Sequence, residues 1–362
     1  MIAVVLLGGA GTRLRPLTLT VPKQVLPIAE VPMIERVLAY LETHGVTEAV
    51  LSLGYLHDAF EALFPDGRAG NIRLTYAVEP EPLDTAGAVG FAARAAGITE
   101  RFLVVNGDIL TDLDITAMVA FHARRGAQAT ISLAKVSDPS AFGLVPIDGE
   151  GKVVAFVEKP APGAVGPSLI NAGTYVLEPS VLDHIPEGRR MSIEREVFPV
   201  LAARGSLYGF DSPEYWTDTG TPLQYLQAHL DLVWGRRAGP PSPGAVEGPE
   251  GIWTLGDAEA GDGVQGPAVI GAGARVAAGA CVEGSVIGAR SVVHPGAKVL
   301  DSVLLPDVVV GAGAVVRRSV LGHGVRVGEG AEVSGMSVLG AGHEVAPGDR
   351  LDGVRLPEPP TP

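Results

Sequence analysis

The chain has 362 residues, enough for about two domains, and its 46% hydrophobic and 19% charged residues are typical of a soluble globular protein. A formal charge of −14 argues against nucleic acid or an anionic membrane as partner, and no apolar run reaches the ~18 residues of a membrane span. The first residues lack signal-peptide features and Cys281 is the only cysteine, which predicts a cytoplasmic protein without an internal disulfide.

The N-terminal segment joins an apolar run to a glycine-rich loop. Residues 2–7 are continuously apolar, as in a strand buried on both faces of a parallel sheet. The following loop supplies three glycines and three cations: Gly8, Gly9, Gly11, Arg13, Arg15 and Lys23. Backbone N–H groups without neighbouring Cβ atoms, together with cations, can hold phosphate groups. The spacing fits neither the P-loop nor the dinucleotide fingerprint, so we predict a triphosphate site of another kind.

Helical and strand patterns alternate after this loop. They predict a helix at 32–45, a strand at 49–53, a helix at 57–64, a strand at 72–78, an alanine-rich helix ending near Gly97, a strand at 101–105 and a helix at 114–125 capped by Asp114. Such alternation indicates an α/β fold with a doubly wound, mostly parallel, Rossmann-like sheet. Ligands of these sheets bind at the carboxyl ends of the strands, so we expect the loop after Leu7 and Asp108 at one edge.

The next part of the chain is richer in strand patterns. Strands are predicted at 130–136, 142–147, 152–158 and 170–177, with a hairpin turn at 148–151. Ser192 is the predicted cap of a helix with an apolar stripe from Ile193 to Leu201. Thr221 and Pro222 begin a further helix with a capping box, which places Asp218 on a well-fixed loop just before it.

A repeat occupies the C-terminal part of the chain. Residues 236–262 are rich in glycine and proline and are predicted to be a linker after a catalytic domain at 1–235. Apolar residues then recur six apart, as in Ile270, Val276 and Val282. This period predicts a parallel β-helix of hexapeptide repeats over 263–350, with roughly four coils of about eighteen residues. The proline-rich tail at 351–362 is predicted to be disordered.

Several motifs resemble one enzyme family. They are Gly8–Thr18, Pro22–Lys23, Leu83–Ala88, Asn106–Asp108, Phe156–Pro160, Asn171–Gly173 and Trp216–Asp218. In this order they resemble the signature of the sugar-1-phosphate nucleotidylyltransferases, over the whole of residues 1–235. Residues 170–176 and 192–199 look most like the branch that uses GTP and mannose 1-phosphate. That branch also ends in a left-handed β-helix.

The resemblance implies a reaction and a set of residues for it. A nucleotidyl group would pass from a nucleoside triphosphate to a sugar 1-phosphate, with Mg²⁺ as cofactor and release of pyrophosphate. The implied roles are catalysis by Arg13 and Lys23; nucleotide binding by Leu7, Gly8, Gly9, Gly11, Thr12, Glu79, Thr85 and Gly107; sugar-phosphate binding by Gly143, Glu158, Lys159 and Asn171; and metal binding by Asp108 and Asp218. Arg15 would support the loop.

The identity of the base remains open at this stage. Glu79 stands where several uridylyl- and thymidylyltransferases have glutamine, and a carboxylate only accepts hydrogen bonds. Guanine presents two adjacent donors, so Glu79 favours GTP. Gln24 and Asp84 depart from the pattern of guanylyltransferases: Gln24 is frequent in thymidylyltransferases, and Asp84 replaces a usual glycine. The runner-up is therefore a glucose-1-phosphate thymidylyl- or uridylyltransferase.

Two readings of another class compete with this enzyme. A catalytically silent regulatory subunit that binds nucleotide-sugar would resemble it, but would have no reason to keep Arg13, Lys23, Asp108 and Asp218. Hexapeptide β-helices can also carry an acyltransferase with a catalytic histidine, and the candidates here are His294, His323 and His343. We favour surface histidines, and expect the β-helix to serve homo-oligomerisation or regulation.

Overall fold

The chain folds into two compact units. The computed structural model describes residues 1–54, 57–139, 142–158 and 168–358, except the side chains of Val157 and Glu158. The first unit consists of Met1–Gly9 with Ile34–Trp216, and the second of Ala10–Met33 with Thr217–Pro362. The part of the predicted loop that carries Arg13, Arg15 and Lys23 lies within Ala10–Met33 and is called the cation-bearing loop below. It belongs to the same unit as the C-terminal repeat.

The elements up to residue 233 follow the predicted alternation in its first half. The strands are Ile2–Leu6 (β1), Pro27–Ile28 (β2), Val31–Pro32 (β3), Glu48–Leu53 (β4), Arg68–Ala69 (β5), Ile72–Val78 (β6), Phe102–Asn106 (β7), Ile109–Thr111 (β8), Ala129–Val136 (β9), Gly143–Leu144 (β10), Val157–Glu158 (β11), Ser168–Leu177 (β12), Leu207–Asp211 (β13) and Trp216–Asp218 (β14). The α-helices are Met33–Thr43 (α1), Asp58–Leu63 (α2), Asp84–Ala95 (α3), Ile115–Arg125 (α4), Phe198–Ala203 (α5) and Pro222–Val233 (α6).

A mixed sheet forms the centre of the first unit. Its order is β11-β10-β12-β7-β1-β4-β6-β5, with β9 paired to β12 and β13 paired to β9. The pairs β7–β1, β1–β4 and β4–β6 are parallel, as predicted, and their apolar residues are covered on both faces: Val4, Val5 and Val104 are fully buried. The ends of β1 and β7 thus lie side by side and present Leu7 and Gly107 at one edge.

The remaining half of this sheet is antiparallel around β12. β12 runs antiparallel to β7, β9 and β10. The strands predicted at 142–147 and 152–158 are reduced to Gly143–Leu144 and Val157–Glu158, joined by the predicted turn, where Asp148 N–H bonds Lys152 O at 3.0 Å. Pro146 lies between these pieces and has no N–H to donate to a ladder, which explains the interruption.

Local capping signals are borne out at the helix ends. The Asp114 carboxylate accepts the N–H of Ala117 at 2.8 Å, and Ser192 Oγ accepts that of Arg195 at 3.3 Å. The helix after Ser192 begins with a π turn at Ile193–Val197 and continues as α5, whose second residue, Pro199, has no N–H. Thr221 caps α6 in the second unit by accepting the N–H of Gln224 at 3.3 Å.

Three parallel sheets build the β-helix of the second unit. Strands of the first sheet are Ile252–Thr254, Ala268–Ile270, Ser285–Ile287, Val303–Leu304, Val320–Leu321, Val338–Leu339 and Arg355–Leu356, with Val246–Glu247 added antiparallel. Those of the second are Arg275–Val276, Val292–Val293, Val309–Val310, Arg326–Val327 and Glu344–Val345; those of the third are Cys281–Glu283, Lys298–Leu300, Val315–Arg317, Glu332–Ser334 and Arg350–Asp352. The recurring apolar residues point inward as a continuous core.

The coils are shorter and more numerous than predicted. Val276, Val293 and Val310 stand at equal register on neighbouring coils, so a coil contains seventeen residues there and not eighteen. One of the three steps around each of these coils is five residues long. Ser285 and Ser302 occupy equivalent positions on neighbouring coils and are also seventeen residues apart. Ser285 Oγ accepts the N–H of Ser302 at 3.0 Å. Among the described residues the second and third sheets each have five strands, one more than the four coils expected.

Strands extend into both segments that the sequence assigns to a linker and a tail. Val246–Glu247 and Ile252–Thr254 continue the first sheet of the β-helix at its start. At the other end Arg350–Asp352 continues the third sheet and Arg355–Leu356 continues the first, because Leu351 and Leu356 keep the inward apolar spacing. No helix in the described parts of the chain is both long and apolar enough to cross a membrane.

A buried polar cluster lies at the end of the sheet opposite to the Asn106–Asp108 turn. His122 on α4 is fully buried, with Nδ1 2.8 Å from Thr130 Oγ1 and Nε2 3.2 Å from Glu178 Oε1. Arg101, just before β7, donates to the same carboxylate at 2.7 Å. Burial lowers the pKa of His122 below its ordinary 6.5. Burial alone would raise the pKa of Glu178, but the hydrogen bonds from Arg101 and His122 lower it below 4.5.

This cluster predicts acid sensitivity. Both pKa values are lower in the folded state, so the unfolded chain binds more protons and stability falls as the pH drops, first below the ordinary pKa of 6.5 and then below 4.5. We expect His122→Gln to flatten the fall of the unfolding midpoint between pH 6.5 and about 5, measured by thermal unfolding. His294→Gln, at an exposed turn of the β-helix, is the control. Equal slopes for His122→Gln and the unaltered protein would contradict this assignment.

Candidate active site

The glycine-rich loop begins directly after β1, and its residues Gly8 and Gly9 still belong to the first unit. Leu7 is buried and its N–H donates to Ser52 O at 2.9 Å, which continues the ladder between β1 and β4. Gly8 and Gly9 are exposed. A Cβ at Gly8 would lie 3.3 Å from Glu79 Oε1, so the loop backbone passes close to that carboxylate. The first unit therefore brings two of the predicted nucleotide-binding groups together.

Glu79 is held by two hydrogen bonds. Its Oε1 accepts from Ser52 Oγ at 3.1 Å and its Oε2 accepts from Leu83 N–H at 3.0 Å. An ionised carboxylate has about four lone-pair sites, so each oxygen can still accept a further donor. Ser52 was not singled out from the sequence. Its position at the carboxyl end of a buried strand is the signal that could have found it.

The loop after Glu79 enters helix α3 through an unusual residue. Asp84 has φ +61°, in the left-handed region that glycine adopts without cost, so glycine would be favoured over aspartate at this position. Its Oδ1 accepts the N–H of Thr85 at 2.8 Å, and its Oδ2 pairs with Arg195 Nη2 at 2.7 Å. The side chain thus stabilises the strained backbone and ties it to a distant segment. Arg195 was missed in the sequence.

Thr85 binds the same distant segment. Its hydroxyl donates to Glu194 Oε2 at 2.6 Å and accepts the N–H of Ile193 at 2.9 Å. Ser192 Oγ donates to the same Glu194 oxygen at 2.8 Å. The described contacts of Thr85 therefore anchor the start of the helix after Ser192. Its predicted role in nucleotide binding stays a prediction.

The turn Asn106–Asp108 closes onto β1. Gly107 N–H donates to Leu6 O at 3.1 Å, and a Cβ at Gly107 would collide with the Leu7 side chain. An added Cβ would therefore require the Leu7 side chain to move away. Asp108, the predicted metal ligand, follows directly and is half-buried, so its backbone is fixed by the packing of its neighbour.

The predicted sugar-phosphate residues lie on the antiparallel half of the sheet. Asn171 is at a β-bulge of β12, where its Oδ1 accepts Gly173 N–H at 3.0 Å and its Nδ2 donates to Tyr175 Oη at 2.9 Å. Gly143 pairs with Glu158 across β10 and β11. The side chain of Glu158, and Lys159 as a whole, lie outside the described residues.

The cation-bearing loop belongs to the second unit. Gly11 has φ +61° and opens a 3₁₀ turn at Thr12–Leu14. A Cβ there would lie 3.1 Å from Thr18 Cγ2 and 3.2 Å from Lys23 Cβ, so the two ends of the loop pack together at this glycine. Thr18 Oγ1 donates to Gly11 O at 2.7 Å. Thr12 and Arg13 are exposed, and Lys23 is half-buried.

Arg13 and Asp218 meet at Gly220. A Cβ at Gly220 would lie 2.6 Å from Arg13 Nη2 and 2.9 Å from Asp218 Oδ1, so a predicted catalytic cation and a predicted metal ligand flank the same point. Asp218 Oδ1 also accepts the N–H of Gly220 at 2.7 Å, which orients the carboxylate. Gly220 was not singled out in the sequence, although it directly precedes the capped helix.

Two further polar residues of this loop, Arg15 and Gln24, are at least partly enclosed. Arg15 is half-buried, and its Nε is enclosed without a hydrogen-bond partner in the described part of the protein. Gln24 is only 2% exposed. Gln24 therefore contributes to the packing of the loop and does not present its amide to solvent.

Hard oxygen atoms are the available metal donors. No group of three or more histidine, cysteine, aspartate or glutamate side chains that could hold a metal occurs among the described residues. Mg²⁺ needs no such cage, because it is commonly bound by one or two carboxylates together with substrate phosphates. The carboxylates of Asp108 and Asp218 have the chemistry for this ion.

The histidines of the β-helix are exposed or half-buried turn residues. His323 Nε2 lies 3.2 Å from Asp307 Oδ2, and the same carboxylate accepts Arg290 Nε at 2.8 Å. His294 is exposed and His343 is half-buried. These contacts are those of surface ion pairs between coils, in keeping with the structural interpretation of these residues.

Comparison with known proteins assigns both halves of the chain. Residues 2–233 match the model of the nucleotidyl transferase family, and residues 264–356 match that of the GMPPB C-terminal domain. The chain is 41% identical over 290 residues to the mannose-1-phosphate guanylyltransferase of Mycobacterium tuberculosis, covering 78% of each. It is 41% identical over 240 residues to a probable mannose-1-phosphate guanylyltransferase 1 of Oryza sativa, covering 64% of this chain and 66% of that protein.

Solved structures agree with this assignment. HddC from Yersinia pseudotuberculosis, complexed with GMP-PN, is 31% identical with a TM-score of 0.55, covering 63% of this chain and 97% of that chain. A putative glucose-1-phosphate thymidylyltransferase from Bacillus anthracis is 25% identical with a TM-score of 0.59, covering 66% and 97%. The chain belongs to the nucleotidyl transferase family, and within it is similar to the mannose-1-phosphate guanylyltransferases.

Proposed function

We propose that this protein transfers a guanylyl group from GTP to mannose 1-phosphate, forming GDP-mannose and pyrophosphate. An oxygen of the sugar phosphate attacks the α-phosphorus of GTP, and the bond from that phosphorus to the β-phosphate oxygen breaks. The attacking phosphate monoester has a second pKa near 6, so it is largely ionised at neutral pH and needs no general base. Repulsion between the two anions and charge on the leaving pyrophosphate are the barriers that the residues must lower.

The proximity of Arg13 and Asp218 at Gly220 is the observation that carries this proposal. A phosphoryl transfer needs cations aimed at the transferring group and an oxygen ligand for its metal, and here one of each lies beside the same glycine. We assign Arg13 and Lys23 to the stabilisation of the α-phosphoryl transition state. The exposed backbone at Gly8 and Gly9 is suited to hold phosphate oxygens.

A divalent metal is generally used by this family, and we propose Mg²⁺ here. The carboxylates of Asp108 and Asp218 would hold it together with oxygens of the triphosphate, since hard oxygen donors suit this ion. When bound, the metal neutralises charge that builds up on the phosphates. The protein itself orients these carboxylates. The Gly220 N–H donates to Asp218 Oδ1, and Gly107 packs closely against Leu7 just before Asp108.

The choice of guanine rests on relatives and on Glu79. The relatives in Mycobacterium tuberculosis and Oryza sativa bear the name of a mannose-1-phosphate guanylyltransferase. Glu79 is oriented by Ser52 and Leu83 and has lone pairs to spare, so a base with two adjacent donors suits it. Gln24, the residue that favours thymidylyl transfer, is buried and is therefore a weak argument for a pyrimidine base.

We assign the sugar phosphate to Gly143, Glu158, Lys159 and Asn171. The bulge at Asn171 turns the amide out of the regular ladder and fixes it between Gly173 and Tyr175, which suits contact with sugar hydroxyls. Lys159 would bind the phosphate. The oligomerising role of the β-helix stays a prediction.

A pyrophosphate-release assay over a grid of substrates tests the function. We expect GTP with mannose 1-phosphate and Mg²⁺ to exceed UTP or dTTP with glucose 1-phosphate by at least about tenfold in kcat/KM, because one favourable pair of hydrogen bonds is worth that much. A preference for dTTP or UTP would establish the runner-up. A protein that binds nucleotide-sugar without turning over any pair would instead be the silent regulatory subunit.

The same grid measured on Glu79→Gln isolates the base contact. With its oxygen towards Leu83 N–H, the amide can still donate from its nitrogen to Ser52 Oγ, but it cannot accept two donors from guanine. Loss of the preference for GTP over UTP would support the assignment of Glu79. Unchanged discrimination would contradict it.

Asp108→Asn tests the metal ligand. The amide has nearly the same volume at a half-buried position, so we expect an unchanged unfolding midpoint and a loss of turnover of at least about a hundredfold. Asp112→Asn, which lies four residues further along the same segment, is the control variant. Normal Mg²⁺-dependent turnover in Asp108→Asn would rule out a metal role for this carboxylate.

Gly220→Ala tests the placement of Arg13 and Asp218. The added methyl group would lie 2.6 Å from Arg13 Nη2 and 2.9 Å from Asp218 Oδ1, so one or both of these side chains must move away. We expect kcat/KM to fall by about tenfold or more while the protein stays folded, because a displacement of 1 Å can cost far more than that. Gly149→Ala, where an added Cβ meets nothing within 4 Å, is the matched control. Equal kinetics of the two variants would contradict this role.

A further inference from the structure

A short hairpin follows the cation-bearing loop directly. The 3₁₀ turn Lys23–Val25 ends at Leu26, whose N–H donates to Lys23 O at 3.2 Å. Strands β2 and β3 then pair around the two-residue turn Ala29–Glu30, which has φ values of +42° and +73°. Both values are in the left-handed region, where alanine and glutamate are unfavourable compared with Asn-Gly. Other contacts must therefore hold this turn.

Three of these contacts come from helix α6 and the segment after it. His229 Nδ1 is 3.2 Å from the N–H of Ala29 and accepts it, and Ser242 Oγ donates to the carbonyl of Ala29. Tyr225 Oη donates to the carbonyl of Pro27. His229, Ser242 and Tyr225 are each at most 2% exposed, so the hairpin backbone is held by side chains that are themselves buried.

The fourth contact comes from the β-helix. Glu30 Oε2 accepts the N–H of Ala289 at 2.8 Å, at the turn after the strand Ser285–Ile287. The same oxygen would lie 2.6 Å from a Cβ at Gly271 of the preceding coil, so the carboxylate is inserted closely between two coils. The neighbouring Arg290 supplies positive charge nearby. An exposed turn would not have its carboxylate enclosed by two coils, so these contacts of Glu30 attach the hairpin to the β-helix.

The other end of the loop meets the last coil of the β-helix. Arg355 Nη1 donates to Arg13 O at 3.4 Å. A Cβ at Gly340 would lie 3.1 Å from Pro16 Cβ, so the coil and the loop are in van der Waals contact there. Arg13 and Lys23 are therefore flanked by two attachments to the same repeat, one at each end of the loop.

We propose that the β-helix positions the cation-bearing loop, with Glu30 as the positioning residue that sets Lys23 and Arg355 as the one that sets Arg13. This inference deepens the proposed function, on which its kinetic part rests. A rigid repeat whose coils form one continuous core provides a fixed frame, while a loop with only short 3₁₀ turns has little rigidity of its own. Phosphoryl transfer depends on the placement of its cations to within a fraction of an ångström.

Three substitutions at Glu30 separate the anchor from the backbone conformation. Glu30→Gly relieves the unfavourable φ but removes the carboxylate, Glu30→Gln keeps an oxygen for Ala289 N–H, and Glu30→Ala removes the carboxylate without relieving φ. We expect Glu30→Gly and Glu30→Ala to lower kcat for GTP with mannose 1-phosphate by about tenfold or more, with Glu30→Gln restoring most of it. A merely structural residue would lower the unfolding midpoint and leave kcat of the folded enzyme unchanged.

Hydrogen–deuterium exchange on the full-length protein gives a readout that needs no turnover. We expect faster exchange of the backbone amides of residues 12–26 in Glu30→Gly than in Glu30→Gln, while strands of the first unit such as β1 and β4 stay unchanged. Inactivity of the unaltered protein would refute the proposed function alone. Unchanged loop exchange and unchanged kcat in Glu30→Gly would refute the positioning role alone.

Arg355→Ala tests the second attachment without touching the hairpin. Its matched control is Arg350→Ala, on the same terminal coil, whose ion-pair partner is Glu332 at 3.7 Å. We expect only Arg355→Ala to raise exchange at residues 12–16 and to lower kcat. Equal behaviour of the two variants would overturn the assignment of Arg355, and it would do so even if Glu30→Gly failed to fold.

Discussion

Hydrogen bonds to the backbone of Ala29 and to the side chain of Glu30, in one strained turn, hold the cation-bearing loop in place. The turn Ala29–Glu30 adopts a conformation that its residues disfavour, and such strain persists only where the surroundings determine it. Here buried side chains bind one residue and a β-helix amide binds the other. The loop that carries Arg13 and Lys23 thereby depends on residues more than two hundred positions away. This dependence explains why residues 10–33 form one compact unit with the C-terminal repeat.

Close backbone approach is the corresponding constraint in the first unit. Gly107 lies against Leu7 because β7 and β1 are adjacent and parallel, and Gly8 passes beside Glu79. An added Cβ at Gly107 would require the Leu7 side chain to move, so the turn before Asp108 packs closely against β1. The parallel sheet therefore places the glycine-rich loop at Gly8 and one predicted metal ligand, Asp108, at the ends of neighbouring strands. The same sheet brings Gly8 close to Glu79.

Local signals accounted for most of what the sequence predicted correctly. The apolar run before Gly8, the caps at Asp114 and Thr221 and the hexapeptide spacing each depend on a few neighbouring residues. What the sequence missed depends on contacts between distant segments. The partner of Glu79 is Ser52, and that of Glu30 is Ala289, and neither pair shares a local pattern. No periodicity along the chain could have revealed them.

The coil length shows a different limit. Three hexads predict eighteen residues, but Val276, Val293 and Val310 are in register at seventeen because one corner of the coil is tighter. The evidence was present in the sequence, since Ser285 and Ser302 are also seventeen apart and their side chain and backbone bond each other across coils. A search for the polar corner residues would have found the true period. The apolar residues carry the same information, because Val276, Val293 and Val310 are also seventeen apart.

Asp84 shows how a departure from the family pattern is compensated. A residue with φ +61° costs conformational energy unless it is glycine, and the side chain of Asp84 offsets part of that by binding Thr85 N–H and Arg195. The same region is joined again through Thr85 and Glu194. The segment from Glu79 to Thr85 is thus attached to the helix start after Ser192 by two side-chain contacts. In the fold, the departure from glycine at this position adds an ion pair between Asp84 and Arg195.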